Sequence, residues 1–312
     1  MVIRRYTPDD KELWDDFAER SRCGTFLFKR DYMDYHADRF EDCSLMAFNR
    51  RGKLIAMLPA EISGHTVSSH RGLTYGGWIT PVRHFDGTTM SEVFAASTSA
   101  LREIGVKELI YKPLPHIYQT TPAEEDLFCL FRHGAVQTDC VLSSVIELQN
   151  PSPMNESTRQ SIRLATKAGV IINESEDFSG FWAMLREQLR LRHEATPVHS
   201  PEEITLLKKS FPVNIKLFTA SLDGKLIAGA VLYICKNVVR IQYMASDETG
   251  RKVKAMTALV NHLIQKYSGK YTLLDMGGSN EPGSGELNSG LLLFKSGLGG
   301  RGMAFSTYSI NL

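Results

Sequence analysis

The chain has 312 residues, of which 43% are hydrophobic and 23% charged, an ordinary globular make-up long enough for two domains. Its 36 Lys and Arg nearly balance 35 Asp and Glu, for a formal charge of +1, so no global basic field is available to hold DNA. The five cysteines, at 23, 43, 129, 140 and 235, form no C-x-x-C pair, and the histidines show no H-x-x-x-H spacing. Neither a disulfide framework nor a metal site is expected, and reduced thiols in a cytoplasm are the simplest account. The polar N-terminus reads against a signal peptide, and no apolar window of ~18 residues predicts a membrane span.

The first elements in chain order are two helices, DKELWDDFAERS and RDYMDYHADRF. SLMAFNRRGKLIAMLPAEI follows as two strands joined at Arg51-Gly52. GLTYGGWI is predicted as a third strand, and the loop TPVRHFDGTT leads into a helix, MSEVFAASTSALREIG, closed by Gly105. The strand VKELIYKPLP comes next, and VLSSVIELQ ends near the proline-containing segment 149–153, where a linker is expected. The second half again starts with helices, TRQSIRLATKA behind a Ser157-Thr158 cap and GFWAMLREQLRLRH. NIKLFTASLDGKLIAGAVLYI then gives two strands around Asp223-Gly224, a strong hairpin signal. KNVVRIQYMAS is a third strand, DETGRKVK a loop, AMTALVNHLIQKYSG a helix and KYTLLDMGG a strand.

The pentamer GKLIA stands at 52–56 and again at 224–228, each time at the same place in this order. Strand, turn, strand, strand, loop, helix, strand recurs, which predicts two copies of one α/β (α+β) domain, 1–150 and 151–312, each a mixed, mostly antiparallel sheet flanked by helices.

That order resembles the Gcn5-related N-acetyltransferase (GNAT) fold in tandem over nearly the whole chain. The second half is more specifically similar to the Fem-type acyl- and aminoacyltransferases. The resemblance is carried by REQLRLRHEATPVHSPEEITLLKKSFP, by KLFTASLDGKLIAGAVL, and by LLDMGGSNEPGSGELNSGLLLFKSGLGG, where the terminal pair Leu298-Gly299 departs from the family's Phe-Gly. The first half lacks the glycine-rich ending, so the second is expected to hold the chemistry. The resemblance implies acyl transfer from an acyl-CoA, most simply acetyl-CoA, to a small-molecule or peptide amine. An aminoacyl-tRNA donor for a cell-wall precursor, and a non-catalytic binding pair, are the alternatives. No DNA partner or membrane insertion is expected, and the oligomeric state is unreadable.

On that resemblance the donor's pyrophosphate belongs at the start of the helix after the third strand. Gly250, Arg251, Lys252 and Ala255 are its candidates, with Met244 and Ala245 ending the strand before them. The stretch fits the family's loop loosely, because the inner glycines are missing. Asp275 closes an apolar strand before Gly277-Gly278, where it would accept the amine's proton, orient the acceptor or cap the turn. Glu281 is a second candidate base; Gly277, Gly278, Asn280 and Asn288 share its polar loop. Lys295 interrupts an apolar run, and the resemblance implies a role toward the donor. Arg192 matches a family arginine that meets an anionic acceptor, and His193 departs from the usual acid. Tyr75 and Trp78 are candidates for a groove lining.

Overall fold

The computed structural model describes residues 1–193, 196–281 and 283–312, without the side chains of 192 and 193. Two compact units emerge: 1–141 with 304–312, and 142–303.

The first unit contains β1 (Val2–Arg5), α1 (Lys11–Arg20), α2 (Arg30–Met33), β2 (Glu41–Asp42), β3 (Leu45–Phe48), β4 (Leu54–Leu58), β5 (Glu61–Ser63), β6 (Thr66–Ser68), α3 (Gly87–Glu103), β7 (Glu108–Tyr111) and α4 (Glu125–Arg132). β8 (Val136–Glu147) carries the chain into the second unit. β1, β3 and β4 form one small antiparallel sheet, and β2, β5, β6 and β7 pair in a second. α3 starts at Gly87 because Asp86 accepts the Thr89 amide at 2.8 Å, three residues before the apolar periodicity begins. Its Met90, Val93, Phe94 and Leu101 are buried with Trp78, Leu109 and Tyr111.

The segment expected as a third strand, 72–79, is not one. It holds a single bridge, Met57 to Ile79, with both backbone bonds made. Gly77 sits at φ +82°, and a Cβ on Gly76 would lie 2.1 Å from the Ser69 carbonyl oxygen. Glycines needed for that close approach interrupt the pleat. The β5–β6 hairpin, which the alternation did not reveal, supplies instead a parallel partner for β7.

The second unit contains α5 (Glu156–Lys167), β9 (Ile171–Ser175), α6 (Phe178–His193), α7 (Pro201–Ser210), β10 (Ile215–Leu222), β11 (Lys225–Ile234), β12 (Val238–Ser246), α8 (Glu248–Lys252), α9 (Ala255–Tyr267), β13 (Leu273–Gly278) and α10 (Ser289–Gly297). β14 (Arg301–Asn311) then returns to the first unit, where its end pairs with β7. The sheet order in the second unit is β8-β13-β12-β11-β10-β9. β10 and β11 join through Asp223 at φ +51° and Gly224 at φ +75°, the two left-handed residues that a twisted two-residue hairpin requires. α5 is capped by Asn155, whose side chain accepts the Thr158 amide at 2.8 Å; Ser157 and Thr158 lie inside the helix, not at its cap. α9 repeats buried Ala255, Leu259, Leu263 and Tyr267 every fourth residue, one stripe against the sheet.

Candidate active site

The second unit's sheet opens at one place. β12 and β13 run parallel with Val238–Arg240 against Leu273–Asp275, and their ladder stops there. β12 continues to Ser246 with β11 on its other side. β13 instead follows β8 through a bulge, since Asp275 lies opposite Val145 and Gly278 opposite Ser143. The two strands therefore splay beyond Arg240 and Asp275, and among the described residues no strand pairs with Met244–Ser246 on the side facing away from β11.

Buried polar side chains hold that bulge. Gly277 supplies its left-handed residue, at φ +75°. Asp275 is fully buried; its Oδ1 accepts the Gly277 amide at 2.8 Å and the Ser143 hydroxyl at 2.5 Å. Its Oδ2 accepts from Arg240 Nη1 at 2.5 Å. Lys295, 1% exposed, donates to the Gly277 and Gly278 carbonyls at 2.8 and 2.6 Å. Burial pulls the lysine's pKa down to about 8, against the favourable field of Asp275. Asp275 and Lys295 thus meet in one cluster, as struts of the strand terminus. A carboxylate with no exposed surface and a guanidinium partner is poorly placed to take a proton from an incoming amine.

The neighbouring loop is likewise knit to itself. Asn280 Oδ1 accepts the Leu142 amide at 2.8 Å and its Nδ2 donates to the Gly285 carbonyl at 2.9 Å. Asn288 caps α10 at Leu291 and donates to Glu281 Oε1 at 2.6 Å.

A cavity of about 780 Å³ lies beside the open strand, inside the second unit. Met244, Ala245 and Ser246 of β12 line it, with Gly250, Arg251, Lys254, Met256 and Thr257 from the connection into α9. α5 adds Ser157 and Ser161, α6 adds Leu185 and Leu189, and α10 adds Leu291 and Phe294. Among the described residues no carboxylate or imidazole lines it; its charged groups are Arg251 and Lys254.

The two helix starts in the connection differ. α8 is closed by Asp247, which accepts the Gly250 amide at 2.7 Å. α9 begins after Lys254, which sits at φ +61° and makes no side-chain cap bond. Among the described residues no side chain caps the first amides of α9, and its Met256 and Thr257 line the cavity. Gly250 is needed for a reason other than approach to an anion: a Cβ there would lie 2.2 Å from the Ile227 carbonyl oxygen of β11. Arg251 bridges Gln188 Oε1 at 2.7 Å and the Ser246 carbonyl at 2.9 Å.

Of the candidates read from sequence, Met244, Ala245, Gly250 and Arg251 line this cavity. Lys252 is exposed and paired with Glu248 at 2.7 Å, and Ala255 is buried as the first residue of α9. Tyr75 and Trp78 belong to the first unit's interior, 1% and 4% exposed, with Tyr75 packed on Phe28 and Tyr118. The side chains of Arg192 and His193 lie outside the described residues. Arg240 and Ser143 went unread, although an arginine inside the apolar strand VVRIQYM is a signal for a buried partner.

Residues 154–282 match the family model for an acetyltransferase (GNAT) domain. Over that span the chain is similar to GNAT acetyltransferases. The matched span holds the splayed strands, the α9 start and most of the cavity lining. FemX superposes with a TM-score of 0.70 at 12% identity, over 100% of this chain and 98% of its own. L-PGS from Bacillus licheniformis gives 0.61 at 13% identity, over 100% and 93%. A tandem GNAT protein from the clavulanic acid biosynthesis pathway gives 0.55 at 11%, over 99% and 98%. At such identities these likenesses establish the fold: a Fem-like pair of GNAT units, mixed sheets with flanking helices. No curated protein sequence matches the chain.

Proposed function

We propose that the GNAT domain transfers an uncharged acyl group from an acyl-CoA, most simply acetyl-CoA, to an amine. The observation that carries this reading is the end of the β12–β13 ladder at Arg240 and Asp275, next to the uncapped start of α9. An amide-bearing pantetheine arm pairs with an open strand edge as an added strand does, and a pyrophosphate suits helix amides beside Arg251 and Lys254. The lining favours this donor over an aminoacyl-tRNA in two ways. Among the described residues no carboxylate lines the cavity to meet an α-ammonium group. The cations an acceptor stem would need are also dispersed: Lys295 is buried, Lys252 is paired at the surface, and Arg301 is not part of the lining.

In the reaction the amine nitrogen attacks the thioester carbonyl carbon, the C–S bond breaks, and CoA leaves as the thiolate. With no carboxylate or imidazole in the described lining, the amine attacks as its free base, and the proton its nitrogen sheds after the attack passes to water or to the departing thiolate. Apolar Leu185, Leu189, Leu291 and Phe294 favour the neutral amine over its ammonium form. The free cysteines, four of them buried, suit a reducing cytoplasm. Among the described residues no helix is long and apolar enough to cross a membrane, and no cluster suits a metal.

Purified protein, acetyl-CoA and a panel of primary amines test this by thiol release. Release above background that needs both substrates is expected. Absence of release with every amine, together with no CoA binding, would contradict it.

A further inference from the structure

The first unit has a cavity of its own, about 320 Å³, which the acyl-transfer reading leaves unused. Its apolar lining is Leu13 and Phe17 of α1, Leu54 and Ile55 of β4, and Pro81. Its charged lining is Arg20, Lys53, Arg83 and Asp16, with His84 beside them. Asp16 is already engaged by Arg20. Among the described residues neither Lys53 nor Arg83 takes part in an ion pair. The turn that presents Lys53 is rigidly built: Asn49 Oδ1 accepts the Arg51 and Lys53 amides at 3.0 and 3.1 Å. That turn also carries Arg50 and Arg51, which adds to the positive field.

The internal repeat gives this space a counterpart for comparison. The two GKLIA copies open β4 and β11, so Ile55 stands where Ile227 stands in the second unit. There the connection after β12 packs on β11 and α6, with Gly250 against the Ile227 carbonyl and Arg251 bonded to Gln188. In the first unit the corresponding loop is Pro81–Asp86. It holds His84 in the left-handed region at φ +61°, a strained conformation for a non-glycine residue. Arg83 from this loop lines the cavity beside Ile55.

We infer that this cavity binds a phosphate ester carried on a small apolar body, its anion between Lys53 and Arg83 and its apolar part against Leu13, Phe17 and Ile55. The volume sits at the low end of small-molecule sites, ~300–1,000 Å³, enough for a phosphate and a short alkyl or aryl group. The same chemistry occurs in a soluble ester and in a lipid headgroup.

The test uses the full chain, its Lys53→Gln/Arg83→Gln variant and each single variant, with circular dichroism as the check on folding. Calorimetry with hexyl phosphate and with inorganic phosphate is run beside sedimentation with phosphatidylcholine vesicles, with and without phosphatidylglycerol. Hexyl phosphate is expected to bind at least tenfold tighter than inorganic phosphate, and the double variant to weaken it at least tenfold. Capture by phosphatidylglycerol vesicles alone, lost in the double variant, would support the site and assign the ester to a lipid; binding of the soluble ester alone would support it and assign a free ligand. No saturable binding to either probe, equal affinity for the two phosphates, or binding unchanged by the double variant would overturn it.

Discussion

Replacing Arg240 by Met tests how the splayed strands are held. Asp275 has no exposed surface, and the Arg240 side chain is 13% exposed. The substitution removes the guanidinium from Oδ2, while the Ser143 hydroxyl and the Gly277 amide still donate to Oδ1 and the field of Lys295 remains. Removing one partner of a buried ion pair costs about 3–5 kcal/mol, and the retained donors put this case near the lower end, about 3 kcal/mol. Urea unfolding of the full chain measures the loss, and amide exchange along β12 and β13 locates it. Replacing Asp275 by Asn in the same protein removes the charge that Arg240 balanced, so the double variant should recover part of the loss, with a coupling of at least about 1 kcal/mol. A single-variant cost below about 1 kcal/mol with unchanged exchange at Gly277 would refute the reasoning, because the pair would then not hold the bulge.

Gly250→Ala places a methyl 2.2 Å from the Ile227 carbonyl oxygen, so the loop must shift; overpacking should cost about 1–3 kcal/mol in urea unfolding, and CoA affinity by calorimetry should fall with it. The rate of acyl transfer should rise with pH and follow the acceptor amine's own pKa across a series of amines; a plateau near pH 6–7 shared by all amines would reveal an enzyme base. In the first unit, burial raises Asp126 to about 6 from 3.8, against the hydrogen bond from Tyr111 at 2.6 Å. The folded state therefore holds the proton longer than the unfolded chain, and stability falls as pH rises from 3.8 to about 6. At 1.36 kcal/mol per pH unit the group's part is about 3 kcal/mol, and Asp126→Asn should flatten that slope in denaturant titrations between pH 4 and 7.

Much of the fold was legible because its signals are local. The Asp223-Gly224 turn demands left-handed backbone and finds it, and the four-residue stripe of α9 is written in the sequence. Segment 72–79 misled because its β-forming residues, Leu73, Thr74, Tyr75, Trp78 and Ile79, flank glycines whose backbone contacts are not local. α10 and β14 escaped for another reason: glycine-rich flanks and mixed polarity hide their periodicity. The site divides in the same way. Met244, Ala245, Gly250 and Arg251 follow one another along the chain, and a motif reaches them together. Ser143, Arg240, Asp275 and Lys295 lie far apart in sequence, and only the fold shows that the charges answer one another. Lys295 was readable as an oddity in an apolar run, but its work as a clamp on two glycine carbonyls was not.

Hydrogen exchange of the full chain with and without saturating acetyl-CoA tests the central claim most directly. Protection is expected at Met244–Ser246 and at the first amides of α9, Ala255–Thr257, where an added strand and an anion would be received. Unchanged exchange at both places, or protection confined to the first unit, would contradict the account.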